Sequence, residues 1–294
     1  MADNGQREKC EKCGRKHWRD ALCDMHVYIG SSVWREVEPF HVTALQNLLR
    51  DGYRYAYLPQ QGDSLMERTR GMSATLFLTK TTGDVWLSLD SDIVGFTKEG
   101  IDFLVEQATV HDVAVGIYLC RSRTDSYPSS AFEDDTSIEF NQDPTPVPIK
   151  WGATGCMAVH RRVFEAMAET MPLLHMKDEA RCFYPFFQTM IYDHEEHGKI
   201  LLSEDFAFCE RARQLGFMVH ANPAIRLGHI GPYAFRLEDM GKHIDEDGKV
   251  WQMTPEEPIP MKISCSKGRW KAEGPVGLKQ EAEVPEPELS LVGD

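Results

Sequence analysis

The sequence predicts an α/β fold in which a parallel, doubly wound sheet carries helices on its faces. A length of 294 residues allows one large domain with a small appendage. Hydrophobic residues make up 42% of the chain, which is enough for a globular core. Between residues 27 and 119, short apolar runs typical of buried strands alternate with stretches that have the apolar spacing of helices. Strand–helix–strand units produce this alternation.

The first strand is predicted at Val27 to Ile29, and the small residues Gly30 to Ser32 predict a tight loop after it. The next predicted elements are a helix at 38–50, a strand at 53–58, a helix from its cap Asp63 to about Thr79, a strand at 84–89, a helix at 97–108 and a strand at 113–119. After a long loop at 121–148 come a strand at 155–159, a helix after Arg161, and a helix from Ser203 to Gly216 with Phe208, Ala212 and Leu215 on its apolar face. The aromatic residues at 183–187 are interpreted as core packing rather than as a platform for a sugar or base.

The composition predicts three regions. Residues 1–26 are polar and rich in cysteine, and residues 27–271 carry the α/β pattern. Residues 272–294 are rich in Glu, Pro and Gly, which predicts a disordered acidic tail. The formal net charge of −14 excludes a surface that binds nucleic acid everywhere, so a polyanion would need a local basic cluster, such as 7–19 or 262–271.

The sequence also predicts a soluble, cytoplasmic protein. No stretch approaches the roughly 20 apolar residues of a membrane span, and the first residues lack the apolar core of a signal peptide. Most of the eight cysteines are expected to be reduced thiols, since they are spread over a large domain. The oligomeric state stays open.

Asp90-Ser91-Asp92 follows the predicted strand at 84–89 and is a candidate metal site. Side chains two apart on a strand point the same way, so both carboxylates could reach one ion. Mg²⁺ and Mn²⁺ prefer such oxygen ligands and leave coordination positions for phosphate. The alternative is a solvated turn whose two acids cap a helix.

Ser203-Glu204-Asp205 begins a predicted helix and offers a candidate general base. Acids in a first helical turn are often only partners of the helix dipole. That position nevertheless favours the ionised carboxylate, which is the state that a base needs to accept a proton from a hydroxyl.

His229 lies between Gly228 and Gly231, where the backbone can approach a ligand closely. Its imidazole could complete a metal site begun by the two aspartates. A structural histidine that only makes hydrogen bonds is the alternative.

Taken in order, four segments resemble the GT-A glycosyltransferases related to family 2. The segments are Leu89-Asp90-Ser91-Asp92, Trp151-Gly152-Ala153-Thr154-Gly155-Cys156-Met157-Ala158-Val159, Glu204-Asp205 with Cys209-Glu210-Arg211-Ala212, and His229-Ile230-Gly231. The resemblance spans about residues 26–235 and implies a mixed, mostly parallel sheet. It also implies a nucleoside-diphosphate sugar donor, most simply a UDP-sugar, and a Mn²⁺ or Mg²⁺ cofactor.

The resemblance implies roles for individual residues. Asp90, Asp92 and His229 would hold the metal, and Asp205, or else Glu204, would be the catalytic base. Substrate-binding roles would fall on Gly30, Ser31, Arg70, Ser91, Trp151, Gly152 and Gly155. The segment after the first strand lacks the Pro-Thr that often begins such enzymes, so the contacts to the nucleotide base stay open.

Cys10, Cys13, Cys23 and His26 have the pair spacings of a zinc knuckle, with His17 as a substitute ligand. A structural zinc ion could order a segment that lacks apolar side chains. The alternative is a cysteine-bearing tail without metal. Because this region is basic, 5-hydroxymethylpyrimidine in DNA, the acceptor of viral glycosyltransferases, is one acceptor hypothesis. Saccharide, protein and lipid acceptors are the others.

Two rival functions remain at this stage. A nucleotidyltransferase would normally have a glycine-rich, basic loop after the first strand, and Ser31-Ser32-Val33-Trp34 matches that pattern poorly. A non-catalytic protein that binds nucleotide sugars is the second rival, and the intact acidic residues argue against it. Inverting and retaining outcomes are both open.

Overall fold

The computed structural model describes most of the chain. The described residues are 27–33, 37–50, 55–61, 63–121, 128–132, 137–140, 145–177, 181–231 and 234–236, with short strands at 8–9, 16–17, 261–266, 269–273 and 280–281. Helices span α1 (Pro39–Leu49), α2 (Met66–Lys80), α3 (Lys98–His111), α4 (Arg161–Thr170) and α5 (Glu204–Gln214).

The strands are short and numerous. In chain order they are β1 (Glu8–Lys9), β2 (Lys16–His17), β3 (Val27–Val33), β4 (Tyr55–Gln61), β5 (Val85–Leu89), β6 (Ile93–Val94), β7 (Val113–Gly116), β8 (Ser137–Phe140), β9 (Val147–Pro148), β10 (Cys156–His160), β11 (Leu174–His175), β12 (Cys182–Phe183), β13 (Met190–His194), β14 (Gly198–Leu202), β15 (Val219–Asn222), β16 (Gly228–Ile230), β17 (Ala234–Phe235), β18 (Met261–Ser266), β19 (Arg269–Glu273) and β20 (Gln280–Glu281).

Seven strands form the central sheet, in the order β4-β3-β5-β10-β7-β15-β9. Strands β3, β4 and β5 pair in parallel, as do β7 and β15, whereas β10 and β9 pair antiparallel to their neighbours. The sheet is therefore mixed and mostly parallel, which confirms the arrangement that the family resemblance implies. The chain between β7 and β10 contains no crossover helix in its described part, so β10 enters the sheet from the opposite end.

Helices cover both faces of the sheet, which makes the fold Rossmann-like. Alternation along β5 divides the core: Trp86 packs with residues of α2, α4 and α5, while Leu87 and Leu89 pack with α1 and α3. Phe186 and Phe187 are fully buried on the α2 side, so the interpretation of the 183–187 aromatics as core is confirmed for these two.

Two local predictions are wrong. Strand β3 continues through Ser31 and Ser32, which pair with β4, so these residues form strand rather than a tight loop. Asp63 does not cap α2, because the capping position is Leu65. The Asp63 carboxylate instead accepts a hydrogen bond from the Leu65 amide and pairs with Arg68.

The end of α5 also differs from the prediction. Phe208 and Ala212 are buried as expected, but Leu215 follows the helix and is 38% exposed. Gly216 adopts a positive φ of 88°, which is the left-handed conformation that ends many helices.

Arg161 anchors the end of α2. Its guanidinium donates to the carbonyl groups of Phe77 and Leu78 in the last turn of α2 and to those of Thr81 and Gly83 just after the helix. This contact fixes the helix whose first turns reach the candidate site.

The terminal regions are described only in part. Strands β1 and β2 pair antiparallel, with Glu8 opposite His17. The predicted zinc ligands Cys10, Cys13, Cys23 and His26 lie outside the described residues, as does the predicted tail apart from the strand residues up to Glu281. Among the described helices, none combines the length and the apolar character needed to cross a membrane.

Candidate active site

The candidate site lies at the carboxyl edge of β3 and β5. Helices α2 and α5 each precede a parallel strand, β5 and β15 respectively, so their first turns lie at this same edge. Side chains that are far apart in sequence therefore meet beside the end of β5. In open α/β sheets this edge is the usual place for a ligand.

The antiparallel strand β10 positions Asp90. Pairing of Cys156 with Leu89 brings Gly155 opposite Asp90, and the Asp90 amide donates to the Gly155 carbonyl at 3.0 Å. The Asp90 Oδ2 accepts from Arg70 Nη2 at 2.7 Å. Its Oδ1 is buried and has no hydrogen-bond partner among the described residues. Burial raises the pKa of Asp90, although Arg70 opposes the shift.

Arg70 joins two carboxylates that belong to different elements. The side chain extends from α2, is buried, and bonds both Asp90 and Glu204 at the start of α5. Burial would lower the pKa of Arg70, but these carboxylates outweigh it and raise the pKa above its ordinary value. The guanidinium is therefore a fixed positive charge between the predicted metal site and the predicted base.

Asp92 has different partners. The chain turns after β5 ends at Leu89, so the expectation that strand alternation aligns Asp90 with Asp92 does not apply. The Asp92 Oδ2 lies 3.0 Å from Arg121 Nη1 and 3.4 Å from His229 Nε2. Burial would raise the pKa of Asp92, but the histidine and the arginine together lower it below the ordinary value.

The hydrogen bond of His229 selects its tautomer. Its Nδ1 lies 3.0 Å from the Leu119 carbonyl, which can only accept, so Nδ1 carries a proton. Nε2 is then the ring nitrogen that faces Asp92, and it is the atom that a metal ion at this carboxylate would use. The Tyr118 ring packs edge-on against this imidazole with ring centroids 5.1 Å apart.

Glu204 and Asp205 have distinct environments. Glu204 is paired with Arg70, whereas the Asp205 Oδ1 accepts hydrogen bonds from the Ser203 hydroxyl and the Phe206 amide. Burial is the main cause that raises the pKa of Asp205, and the neighbouring Glu204 adds to it. The Glu204 carboxylate is already engaged by the Arg70 guanidinium, and the role of Asp205, or else Glu204, as the base stays a prediction.

The glycine-rich segment packs tightly against the sheet. Tyr118 accepts a hydrogen bond from the Gly155 amide at 2.9 Å, and a Cβ at Gly155 would collide with its hydroxyl. A Cβ at Gly152 would collide with Val115. The Trp151 indole donates to Glu210 at 2.9 Å. Packing accounts for these contacts, and substrate binding by Trp151, Gly152 and Gly155 stays a prediction.

The predicted residues Gly30 and Ser31 lie on β3, where Gly30 is opposite Ser88 of β5. A Cβ at Gly30 would collide with Ser73, which gives this glycine a packing role. Ser31 is 1% exposed, and within the described chain its hydroxyl has no partner. The Ser91 carbonyl accepts from the Glu38 amide at 3.2 Å, next to α1. Substrate contacts of these three residues also stay predictions.

Sequence reasoning missed three residues of the site: Tyr118, Arg121 and Thr154. Tyr118 lies near the end of the predicted strand at 113–119, and Arg121 follows that strand. Both positions at the carboxyl edge of the sheet could therefore have been predicted from the order of strands and helices. Thr154 lies inside the glycine-rich segment, and its buried hydroxyl is unpartnered in the described structure. Nothing in the sequence pattern distinguishes that hydroxyl from an ordinary loop threonine.

The side chains fit a hard divalent cation in part. Among the described residues, no three His, Cys, Asp or Glu side chains are already arranged around a metal position. The Asp90 and Asp92 carboxylates are instead paired with the guanidiniums of Arg70 and Arg121. The unpartnered Asp90 Oδ1, the Asp92 carboxylate and the His229 Nε2 are nevertheless the donor types that Mg²⁺ and Mn²⁺ accept. Phosphate oxygens and water would have to complete such a site.

Comparisons with known proteins give distant structural similarities only. No protein-family model matches the sequence, and no curated protein is significantly similar to it. Similar solved structures include A197 from STIV, at 12% identity over 70% of this chain and 86% of that chain with a TM-score of 0.45. A CMP:2-keto-3-deoxy-manno-octonic acid synthetase complexed with CTP has 13% identity over 67% and 88%, with a TM-score of 0.33.

A third similar structure is a putative glucose-1-phosphate thymidylyltransferase from Bacillus anthracis, at 11% identity over 49% of this chain and 76% of that chain with a TM-score of 0.30. Similarities at this level do not support an argument about activity. The function must therefore be argued from the site itself.

Arg70→Met should destabilise the protein by about 3–5 kcal/mol at neutral pH, because Asp90 and Glu204 lose their shared cation. The deficit should shrink as the pH falls towards 4, since the pKa of Asp90 is already raised and protonation removes its charge. Urea unfolding at pH 7.5 and pH 5 measures this. Arg68→Met on the same helix breaks a part-exposed pair with the single carboxylate of Asp63 and is the matched control. Equal losses in the two variants would contradict the assignment.

Proposed function

We propose that the protein is a metal-dependent glycosyltransferase of the GT-A fold that transfers a sugar from a nucleoside-diphosphate sugar to an acceptor hydroxyl. The observation that carries the proposal is the pairing of Arg70 with both Asp90 and Glu204. This pairing holds the acids suited to the donor's metal and diphosphate beside the acids suited to the acceptor. Transfer between two bound substrates requires that proximity.

The donor half of the site would use Asp90, Asp92 and His229 to hold Mn²⁺ or Mg²⁺. When bound, such a cation neutralises charge on the departing diphosphate. The four carboxylates of Asp90, Asp92, Glu204 and Asp205 outnumber the two guanidiniums of Arg70 and Arg121, so the site is formally negative and attracts a cation. A UDP-sugar is the donor that we favour.

The acceptor half of the site would use Asp205 as base. In the transfer, the acceptor oxygen forms a bond to the anomeric carbon while the bond from that carbon to the phosphate oxygen breaks. The electron pair leaves with the diphosphate, and the hydroxyl proton passes to Asp205. Glu204 is less suited to this role because its carboxylate is already engaged by the Arg70 guanidinium. A single base of this kind fits an inverting outcome.

The acceptor is the least determined substrate. For it we keep the hypothesis of 5-hydroxymethylpyrimidine in DNA, bound by a basic zinc knuckle of Cys10, Cys13, Cys23 and His26. What supports it is the ligand spacing and the cluster of basic residues at 7–19. Saccharide, protein and lipid acceptors are the alternatives that the same assays would identify.

The decisive assay measures the products formed from a panel of nucleotide sugars with and without Mn²⁺. A glycosyltransferase should release nucleoside diphosphate, and Asp92→Ala should lower that rate by about 100-fold or more because charge on the leaving group is poorly compensated. Asp193→Ala, on the exposed β13–β14 hairpin, is the matched control. Full turnover in EDTA would contradict metal dependence. Pyrophosphate formed from a nucleoside triphosphate and a sugar phosphate would identify a nucleotidyltransferase, and donor binding without products would identify a non-catalytic protein.

Asp205→Asn should retain donor binding and lose transfer by about 10²–10⁴-fold, because the amide keeps the shape but cannot accept a proton. In the wild type, the rate should fall as the pH drops through the pKa of Asp205, which burial places above the ordinary value of an aspartate. A pH–rate profile together with donor affinity separates the two effects. If Glu204→Gln loses transfer and Asp205→Asn does not, the base is Glu204.

The protein should contain about one zinc ion per chain, and the double substitution Cys10→Ser and Cys13→Ser should remove it because thiolates dominate such sites. Metal analysis of protein purified without chelator checks this, with Cys182→Ser at an exposed free cysteine as control. The zinc-free variant should keep slow donor hydrolysis and lose transfer to hydroxymethylated DNA. Unchanged transfer in that variant would separate the knuckle from the acceptor.

A further inference from the structure

The guanidinium of Arg121 is paired with the Asp92 carboxylate oxygen that a metal ion at Asp92 would need as a ligand. Its Nη1 lies 3.0 Å from Asp92 Oδ2 and donates to the Ile230 carbonyl at 3.2 Å. His229 Nε2 lies 3.4 Å from the same carboxylate oxygen. A cation bound at this oxygen would stand next to a positive guanidinium, and the two like charges would repel each other.

Arg121 differs from Arg70 in how firmly it is held. Arg70 is buried and bridges two carboxylates, whereas the Arg121 side chain is 46% exposed and, among the described residues, contacts one carboxylate, that of Asp92, and one carbonyl, that of Ile230. Exposed ion pairs contribute little to stability, so Arg121 can leave its partner at small cost. Within the described part of the chain, its Nε and Nη2 make no hydrogen bond. The planar fork that binds phosphate oxygens in pairs therefore remains available.

The position of Asp92 does not depend on Arg121. The Asp92 carbonyl accepts from the Ile230 amide at 2.8 Å, and β16 pairs with β6 immediately after Asp92. The His229 ring is held separately by the Leu119 carbonyl. Departure of Arg121 would thus leave the carboxylate and the imidazole where they are.

We propose that Arg121 exchanges partners when the donor binds: it leaves Asp92 as a divalent cation binds that carboxylate, and its guanidinium then binds the donor diphosphate. This inference rests on the proposed function, because it assumes a metal-bound diphosphate. Arg121 is then a donor-binding residue that also lowers the affinity of the empty site for metal. The site would bind the cation and the diphosphate together in preference to the cation alone.

The exchange predicts effects of opposite sign in Arg121→Gln. Affinity for Mn²⁺ alone should rise about two- to fivefold, because the variant lacks the competing cation of a part-exposed ion pair. Affinity for a nucleoside diphosphate at saturating Mn²⁺ should fall about tenfold or more, because hydrogen bonds from a charged donor are lost. Electron paramagnetic resonance of free Mn²⁺ measures the first quantity, and calorimetry with UDP, GDP and CDP measures the second.

Two further variants separate charge from shape and fold. Arg121→Lys keeps the charge without the fork, so its affinity for Mn²⁺ alone should match the wild type while diphosphate binding weakens by less than in Arg121→Gln. Arg50→Gln removes an exposed arginine at the end of α1, which bonds Asn47 away from the site, and should change neither affinity.

Three outcomes would overturn the exchange. If Arg121→Gln weakens the binding of Mn²⁺ and of diphosphate by the same factor, Arg121 only supports the structure. If Mn²⁺ alone binds Arg121→Gln and the wild type equally, no competition exists. In both cases the proposed function stands as long as the wild type binds a diphosphate with Mn²⁺. If the wild type binds none of the three diphosphates with Mn²⁺, the proposed function fails together with the exchange.

Discussion

Two carboxylates that are far apart in the sequence, Asp90 and Glu204, share the buried guanidinium of Arg70. Without the positive charge of Arg70, the two carboxylates would repel each other across a poorly solvated site. The ion pairs that join the start of α5 to the end of β5 would also be lost. Arg70 bonds only one of the two Asp90 oxygens, and the other is buried without a hydrogen-bond partner among the described residues. Arg70 therefore sets both the geometry of the site and the ligand atom that remains for a substrate or an ion.

The second constraint is the antiparallel insertion of β10 between β5 and β7. A parallel strand at this place would have its carboxyl end at the site. Because β10 is antiparallel, its amino end lies there instead, together with the residues that precede the strand. Gly155 thus meets the Asp90 amide, and Tyr118 closes over Gly155 so tightly that a Cβ would not fit. The glycine-rich segment fixes the position of Asp90 through the Gly155 carbonyl. Any contact of this segment with a sugar would be additional.

The site uses its two arginines differently. Arg70 is buried within α2 and cannot leave without depriving two carboxylates of their shared partner, whereas Arg121 is held at one oxygen of Asp92 and one carbonyl. The difference in burial assigns a structural role to the first and a mobile role to the second. Such a division allows an acidic site to remain stable before a substrate arrives.

The sequence by itself determined the alternation of strands and helices, because hydrophobic spacing depends only on local geometry. It also singled out Asp90, Asp92, Glu204, Asp205 and His229 as candidate site residues, because polar side chains at a strand end or a helix start stand out from an apolar pattern. The direction of β10 could not be predicted, since antiparallel and parallel buried strands have the same composition. Only the tertiary structure decided that Arg70 joins Asp90 to Glu204 and that Arg121 joins Asp92, because both contacts cross from one element to another. No spacing within a single segment encodes them.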